Sequence, residues 1–295
     1  MKYFMSAIAV VTPLFFLQGC SSFLSSSATE QHQGHSMKDD RALADSSNPH
    51  DGHSMEEMNH RENSSQTQAK LVTSTKIIAN KPVSLTIDIQ DSAGKAITKF
   101  DTFQEKLMHL IVVSDDLQFF SHLHPQYQNN GRFTVEANFP RSGNYTIFSD
   151  YKPTGDEEQV SVLKTQVPGN NSSSSDIDLN RTKTFGDTKV NLTSSSPTVK
   201  AGEEVTFVFD LKQAKDDRAI ADLQPYLGEK GHLVILKQSS PLTKADYIHA
   251  HAMKDTPNDR VSFMTSFPQP GKYKLWGQFN RNGKIVVADF WVDVL

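Results

Sequence analysis

Six of the eleven histidines in this chain fall into one scheme that is used twice. The first set is His109 followed by His122-Leu123-His124, and the second is His232 followed by His249-Ala250-His251. In extended backbone, residues i and i+2 project to the same side, so each His-x-His pair can set two imidazoles about one ion. A third imidazole from a neighbouring strand end completes a three-nitrogen face, a common ligand set for Zn(II) and Cu(II). Met253 continues the second alternation as His249-x-His251-x-Met253 and offers a thioether, which suits Cu(I). Zinc wants a fourth, tetrahedral protein ligand and none is evident, so copper stands ahead of zinc as the expected metal. The expected ligands are His109, His122, His124, His232, His249, His251 and Met253, arranged as two sites with one in each repeat. The competing reading is structural, with the histidines hydrogen-bonding loop carbonyls at the end of a sandwich.

Several chemistries are missing from the pattern. The only cysteine is Cys20, so neither folded region can build the Cys-plus-two-His centre of a blue-copper protein or an internal disulfide. There is no Gly-rich phosphate loop, no Gly-x-Ser-x-Gly elbow and no His-Glu-x-x-His helix. No enzyme activity is expected on these grounds. Asp115 and Asp116 read as turn residues rather than ligands, and Met108 should face the opposite side of its strand from His109.

The elements that must position these histidines are short strands. Val83 to Ile89 and Val205 to Leu211 alternate apolar with polar residues, and His109 to Val113 and His232 to Leu236 are compact apolar runs. The stretch between Leu242 and Tyr247 has room for one helical turn. The two regions repeat each other: Ala96-Ile97 through His109 lies on Ala219-Ile220 through His232 without a gap. Phe139-Pro140-Arg141-Ser142-Gly143-Asn144-Tyr145 answers Phe267-Pro268-Gln269-Pro270-Gly271-Lys272-Tyr273. About seven strands in roughly a hundred residues argue for a small Greek-key sandwich. The expected class is all-β, with two tandem Greek-key β-sandwich domains, immunoglobulin-like or cupredoxin-like, at 70–168 and 183–295 and a linker at 169–182.

Residues 1–20 carry one Lys and a short apolar core ending at Leu17-Gln18-Gly19-Cys20, which reads as a secretory signal. That ending resembles the lipobox of bacterial lipoproteins, a resemblance that implies lipid on Cys20 and attachment to a membrane. Residues 21–69 are polar, nearly free of β-branched and aromatic residues, and are expected to form a disordered tether. They hold His32, His35, His50, His53 and His60 with Met37, Met55 and Met58, including the repeated Gly-His-Ser-Met. That mixture suits copper in either oxidation state. The 30 basic residues against 34 acidic ones are scattered without a basic cluster, so nucleic acid is not an expected partner.

Met108-His109-Leu110-Ile111-Val112-Val113 with Ser121-His122-Leu123-His124-Pro125, its counterpart around His232 and His249-Ala250-His251, and Gly271-Lys272-Tyr273-Lys274-Leu275-Trp276-Gly277-Gln278-Phe279 together resemble bacterial exported proteins with FixH/YtkA-like, cupredoxin-like domains. The resemblance implies a β-sandwich, an envelope location and an association with copper or heavy-metal handling. The expected function is therefore an envelope-anchored copper-binding protein that buffers or transfers metal through two three-histidine sites. Its expected partners are the metal ion, the membrane through Cys20, and an envelope metal-transport protein. The alternative is a non-metal structural or docking module for an envelope complex, and behind it a mononuclear copper oxidase or oxygenase.

Overall fold

The computed structural model describes residues 67–73, 76–169, 177–254, 256–257 and 259–295, the side chain of His251 excepted. Cys20, the histidines and methionines of residues 21–66, and residues 170–176 of the linker lie outside the described residues.

The first repeat folds as β1 (Thr67–Thr73), β2 (Pro82–Asp91), β3 (Met108–Ser114), β4 (Phe120–Leu123), β5 (Gln126–Tyr127), β6 (Arg132–Asn138), β7 (Gly143–Tyr151) and β8 (Gln159–Val167). The second folds as β9 (Thr182–Phe185), β10 (Thr188–Ser194), β11 (Glu204–Gln213), β12 (His232–Lys237), β13 (Tyr247–His251), β14 (Arg260–Ser266), β15 (Gly271–Arg281) and β16 (Lys284–Val294). Among the described residues a single 3-10 turn, at Lys244–Asp246, leads into β13. β1 opens at Thr67, slightly ahead of the boundary expected at residue 70.

Each repeat is an antiparallel sandwich. In the first, the sheet β1-β2-β6-β5 faces β4-β3-β7-β8; in the second, β14-β11-β10-β9 faces β13-β12-β15-β16. β2 and β11 show why. Val83, Leu85, Ile87 and Ile89 are buried, as are Val205, Phe207, Phe209 and Leu211, while the residues between them are not. Period-two alternation therefore gives these strands one wet and one dry face. Both repeats carry a tyrosine corner, at the starts of β7 and β15. Tyr145 Oη donates to Arg141 O at 2.8 Å, and Tyr273 Oη donates to Gln269 O at 2.8 Å.

β3 and β12 behave differently, being buried almost throughout. Met108, Leu110 and Val112 enter the core of the first sandwich, and Leu233 and Ile235 that of the second. Ile111, Val113 and Phe148 instead join Val234, Leu236, Trp276 and Trp291 in a third core that belongs to both repeats. Aromatic pairs close it reciprocally. Phe120 of the first repeat stacks on Trp276 at 4.9 Å between centroids, and Tyr247 of the second stacks on Phe148 at 5.0 Å. Phe120 and Tyr247 are equivalent by register, as are Phe148 and Trp276, so the contact is a pseudo-two-fold one. Lys164 reinforces it by donating to Leu242 O at 2.9 Å.

The third core makes a specific demand on stability. Replacing Trp276 with Ala removes a ring that is 3% exposed and should cost about 3–5 kcal/mol. Because that ring serves the shared core, thermal unfolding followed by circular dichroism should broaden or divide into two transitions rather than shift as one.

Candidate metal centre

The face of β3 that carries Ile111 and Val113 also carries His109, and the face of β12 that carries Val234 and Leu236 also carries His232. The histidines are therefore turned away from the sandwich that supplies them and into the junction. His109 is fully buried and His232 is 3% exposed. His122, opposite Ile111 on β4, and His249, opposite Val234 on β13, reach the same place.

Nitrogens of His109, His122 and His232 lie within 4.8 Å of one another. His109 Nδ1 is 3.0 Å from His122 Nε2, and His249 Nε2 is 2.6 Å from His232 Nε2. Neighbouring ligands about a tetrahedral ion with bonds near 2.0 Å stand roughly 3.3 Å apart, so the spacing fits one ion. Rings 109 and 232 lie 5.6 Å apart at 25°, and rings 122 and 232 lie 4.9 Å apart at 22°. His124 sits beside them, its ring 4.6 Å from that of His122 and 5.2 Å from that of His109. Its Nε2 is buried without a hydrogen-bond partner, and it also lines a surface cavity of about 270 Å³ with Gln126 and Glu136.

The expectation of two separate three-histidine sites, and with it the reading of metal buffered or transferred through them, is overturned by this convergence. Among the described residues there is one three-histidine cluster, built from both repeats. The physical reason is the third core: once β3 and β12 bury their second faces against each other, histidines at their starts are forced into a common space. His251 pairs with His232 through the backbone of β12 and β13, and its side chain lies outside the described residues. Met253 is 38% exposed, and its N–H bonds to Ser262 O at 2.8 Å after the chain has crossed to β14 in the other sheet. Asp115 and Asp116 are turn residues: Asp115 accepts from Thr146 at 2.7 Å, and Asp116 pairs with Arg141 at 2.6 Å.

Sequence patterning missed the groups that hold the imidazoles. His109 Nε2 donates to Phe103 O at 3.2 Å, leaving Nδ1 as the lone pair that faces His122. His122 Nδ1 donates to Gln278 Oε1 at 3.1 Å, leaving its Nε2 as a lone pair in turn. His249 Nδ1 donates to Asp150 Oδ2 at 3.1 Å, and Tyr247 Oη reaches the same oxygen at 3.3 Å. Two imidazole lone pairs facing each other at hydrogen-bond distance repel unless a cation or proton lies between them. Asp150 and Gln278 each stand five residues beyond the matched tyrosines, Tyr145 and Tyr273, and carrying the internal alignment that far would have found both.

Burial sets the electrostatics. It pushes His109 down to about 4, with the Phe103 carbonyl opposing the shift and His249 adding to it. His124 falls to about 3, again chiefly by burial, then through His109 and Lys106. His122 lies well below the usual imidazole range because it is buried and surrounded by His232, His124 and His109. These rings are neutral at pH 7, the state in which imidazole binds metal without first losing a proton. Burial also raises Tyr226, whose ring lies 6.3–6.5 Å from three of the imidazoles, to about 12.

A family model described as a domain of unknown function, DUF8832, matches residues 63–167 and 183–295, the two sandwiches. The chain belongs to that family. No curated protein matches it in sequence. Among solved structures, Salmonella alpha-2-macroglobulin reacted with methylamine aligns at 14% identity and a TM-score of 0.27, over 77% of this chain and 14% of its own. A two-domain fibronectin type-III segment of chicken tenascin aligns at 9% identity and 0.24, over 77% and 99%. Invasin, a bacterial integrin-binding protein, aligns at 11% identity and 0.22, over 76% and 39%. The chain thus spans a small part of the macroglobulin's length, and at these scores the likeness is confined to β-sandwich character. Among the described residues no helix is long and apolar enough to cross a membrane.

The lowered imidazoles fix the pH response of the metal-free protein. Their unfolded values lie near 6.5, above the folded values of about 4 for His109 and about 3 for His124. Below pH 6.5 the unfolded chain takes up protons that the folded chain refuses, so stability is held above that pH and lost as pH falls towards 4. Melting temperature measured with a chelator present should drop steadily from pH 7 to pH 4.5. His109→Gln should flatten part of that slope.

Proposed function

We propose that this protein is a non-catalytic structural or docking module of the cell envelope in which one metal ion, copper by preference, clasps two β-sandwiches together. The observation that supports it is the convergence of His109 and His122 from one repeat with His232 from the other inside a buried junction. Depth argues for retention over exchange. A carrier that hands metal on needs ligands a partner can reach, whereas His109 is 0% and His232 3% exposed. The Irving–Williams order and an all-imidazole ligand set favour Cu(II) among the divalent ions. The envelope placement rests on the Leu17 to Cys20 ending and on the resemblance to exported FixH/YtkA-like proteins; the anchor is lipid on Cys20.

A chain lacking residues 31–62, and so lacking the histidines of that segment, should bind one Cu(II) per molecule by calorimetry against a competing chelator, and its melting temperature should rise with metal. Either His109→Ala or His232→Ala should weaken the binding of that one ion sharply and leave no site at parental affinity. Retention of half the original binding in either variant would restore two independent sites. No stoichiometric binding in the parent chain would leave a docking module whose histidines serve packing alone. For the anchor, Cys20→Ser should move the protein from the membrane fraction to the soluble one; an unchanged distribution would rule out lipid there.

A further inference from the structure

The repeats do not only share a cluster; each repeat aims the other's histidine. Asp150 lies opposite His109 in the β3–β7 ladder, and Gln278 lies opposite His232 in the equivalent β12–β15 ladder. Neither holds its own neighbour. Asp150 of the first repeat accepts from His249 of the second at 3.1 Å, and Gln278 of the second accepts from His122 of the first at 3.1 Å. Both are almost completely buried, 2% and 1% exposed, where an ordinary surface role is excluded. Each also keeps one buried polar atom, Asp150 Oδ1 and Gln278 Nε2, without a hydrogen-bond partner. Burying such groups at that cost is expected where they set the geometry of something else.

We propose that Asp150 and Gln278 are exchanged positioning residues of the metal centre, and that Asp150 makes His249 its fourth nitrogen ligand beside His109, His122 and His232. The inference rests on the metal reading above. A hydrogen bond at Nδ1 fixes the tautomer, so the Nε2 of His122 and of His249 each carries the lone pair towards the cluster. The two supports differ in charge. Asp150 places a carboxylate behind one imidazole, which makes that ligand more basic and offsets a bound cation, whereas Gln278 orients without charge. The pseudo-two-fold site is therefore electrically lopsided, and that lopsidedness is built into two equivalent positions of a duplicated fold.

The test uses the full mature chain with Cu(II) and a chelator strong enough to strip residues 21–66. Asp150→Ala and Gln278→Ala should each weaken Cu(II) binding about 10–100-fold. Asp150→Asn and Gln278→Glu can still accept from the same imidazole N–H and should recover most of the affinity. His249→Ala should remove one nitrogen from the superhyperfine pattern of the Cu(II) electron paramagnetic resonance spectrum. Wild-type affinity and an unchanged spectrum in the alanine variants would overturn the proposal while one ion still binds. If the parent chain binds no ion, the metal reading itself falls and takes this inference with it. Should the alanine variants fail to fold, Asp150→Asn decides: losing the carboxylate charge should raise the Cu(II)/Cu(I) potential, and an unmoved potential would overturn the assignment.

Discussion

Burial of the second faces of β3 and β12 against each other is the constraint on which the rest of this molecule depends. A strand in a two-sheet sandwich ordinarily buries one face and wets the other. Here Ile111, Val113, Val234 and Leu236 are 0% exposed on the face that a lone sandwich would leave in water. The two sandwiches therefore belong to one compact unit, with three cores rather than two among the described residues. Removing apolar area from water is non-directional, but the pseudo-two-fold stacking of Phe120 on Trp276 and Tyr247 on Phe148 gives the junction a register.

Chemistry at the junction follows from that register. Histidines that open β3 and β12 are carried into a space lined by aromatic and aliphatic side chains, where burial penalises protonation of His109 and His122. The same burial makes every remaining polar contact consequential. Phe103 O, Asp150 and Gln278 decide which nitrogen of each ring carries its proton, and so which lone pairs converge. Asymmetry then enters an otherwise symmetric arrangement. Thr146, the register partner of Lys164, corresponds to Lys274, which pairs with Asp289 and lies 5.1 Å from the Trp291 ring centroid. The two halves thus hold equivalent positions with side chains that are complementary rather than identical.

Much of the fold was legible in the residues. Alternation in Val83–Ile89 and Val205–Leu211 follows from the two-residue period of a strand and needs no partner to be read. Met108 pointing away from His109, the short turn before Tyr247, and Asp115 and Asp116 as turn residues are local consequences of backbone geometry in the same way. β1, β4, β5, β9, β10 and β13 were not legible, being short or polar strands whose pairing is decided by the sheet they join.

By itself the sequence determined the repeat, the all-β class and the set of imidazoles available for metal, because identity and spacing along one chain are local properties. Whether those imidazoles form two sites or one is not local. Two His-x-His pairs about 130 residues apart look independent until something brings their strands together, and that something is an apolar face that the sequence does not distinguish from an ordinary sandwich core. An apolar run such as His232 to Leu236 states that both faces are buried but not against what. Only the tertiary structure decided that the answer is the other repeat. With that decision came the shared centre, the crossing of Asp150 to His249 and of Gln278 to His122, and the placing of Met253 on the surface.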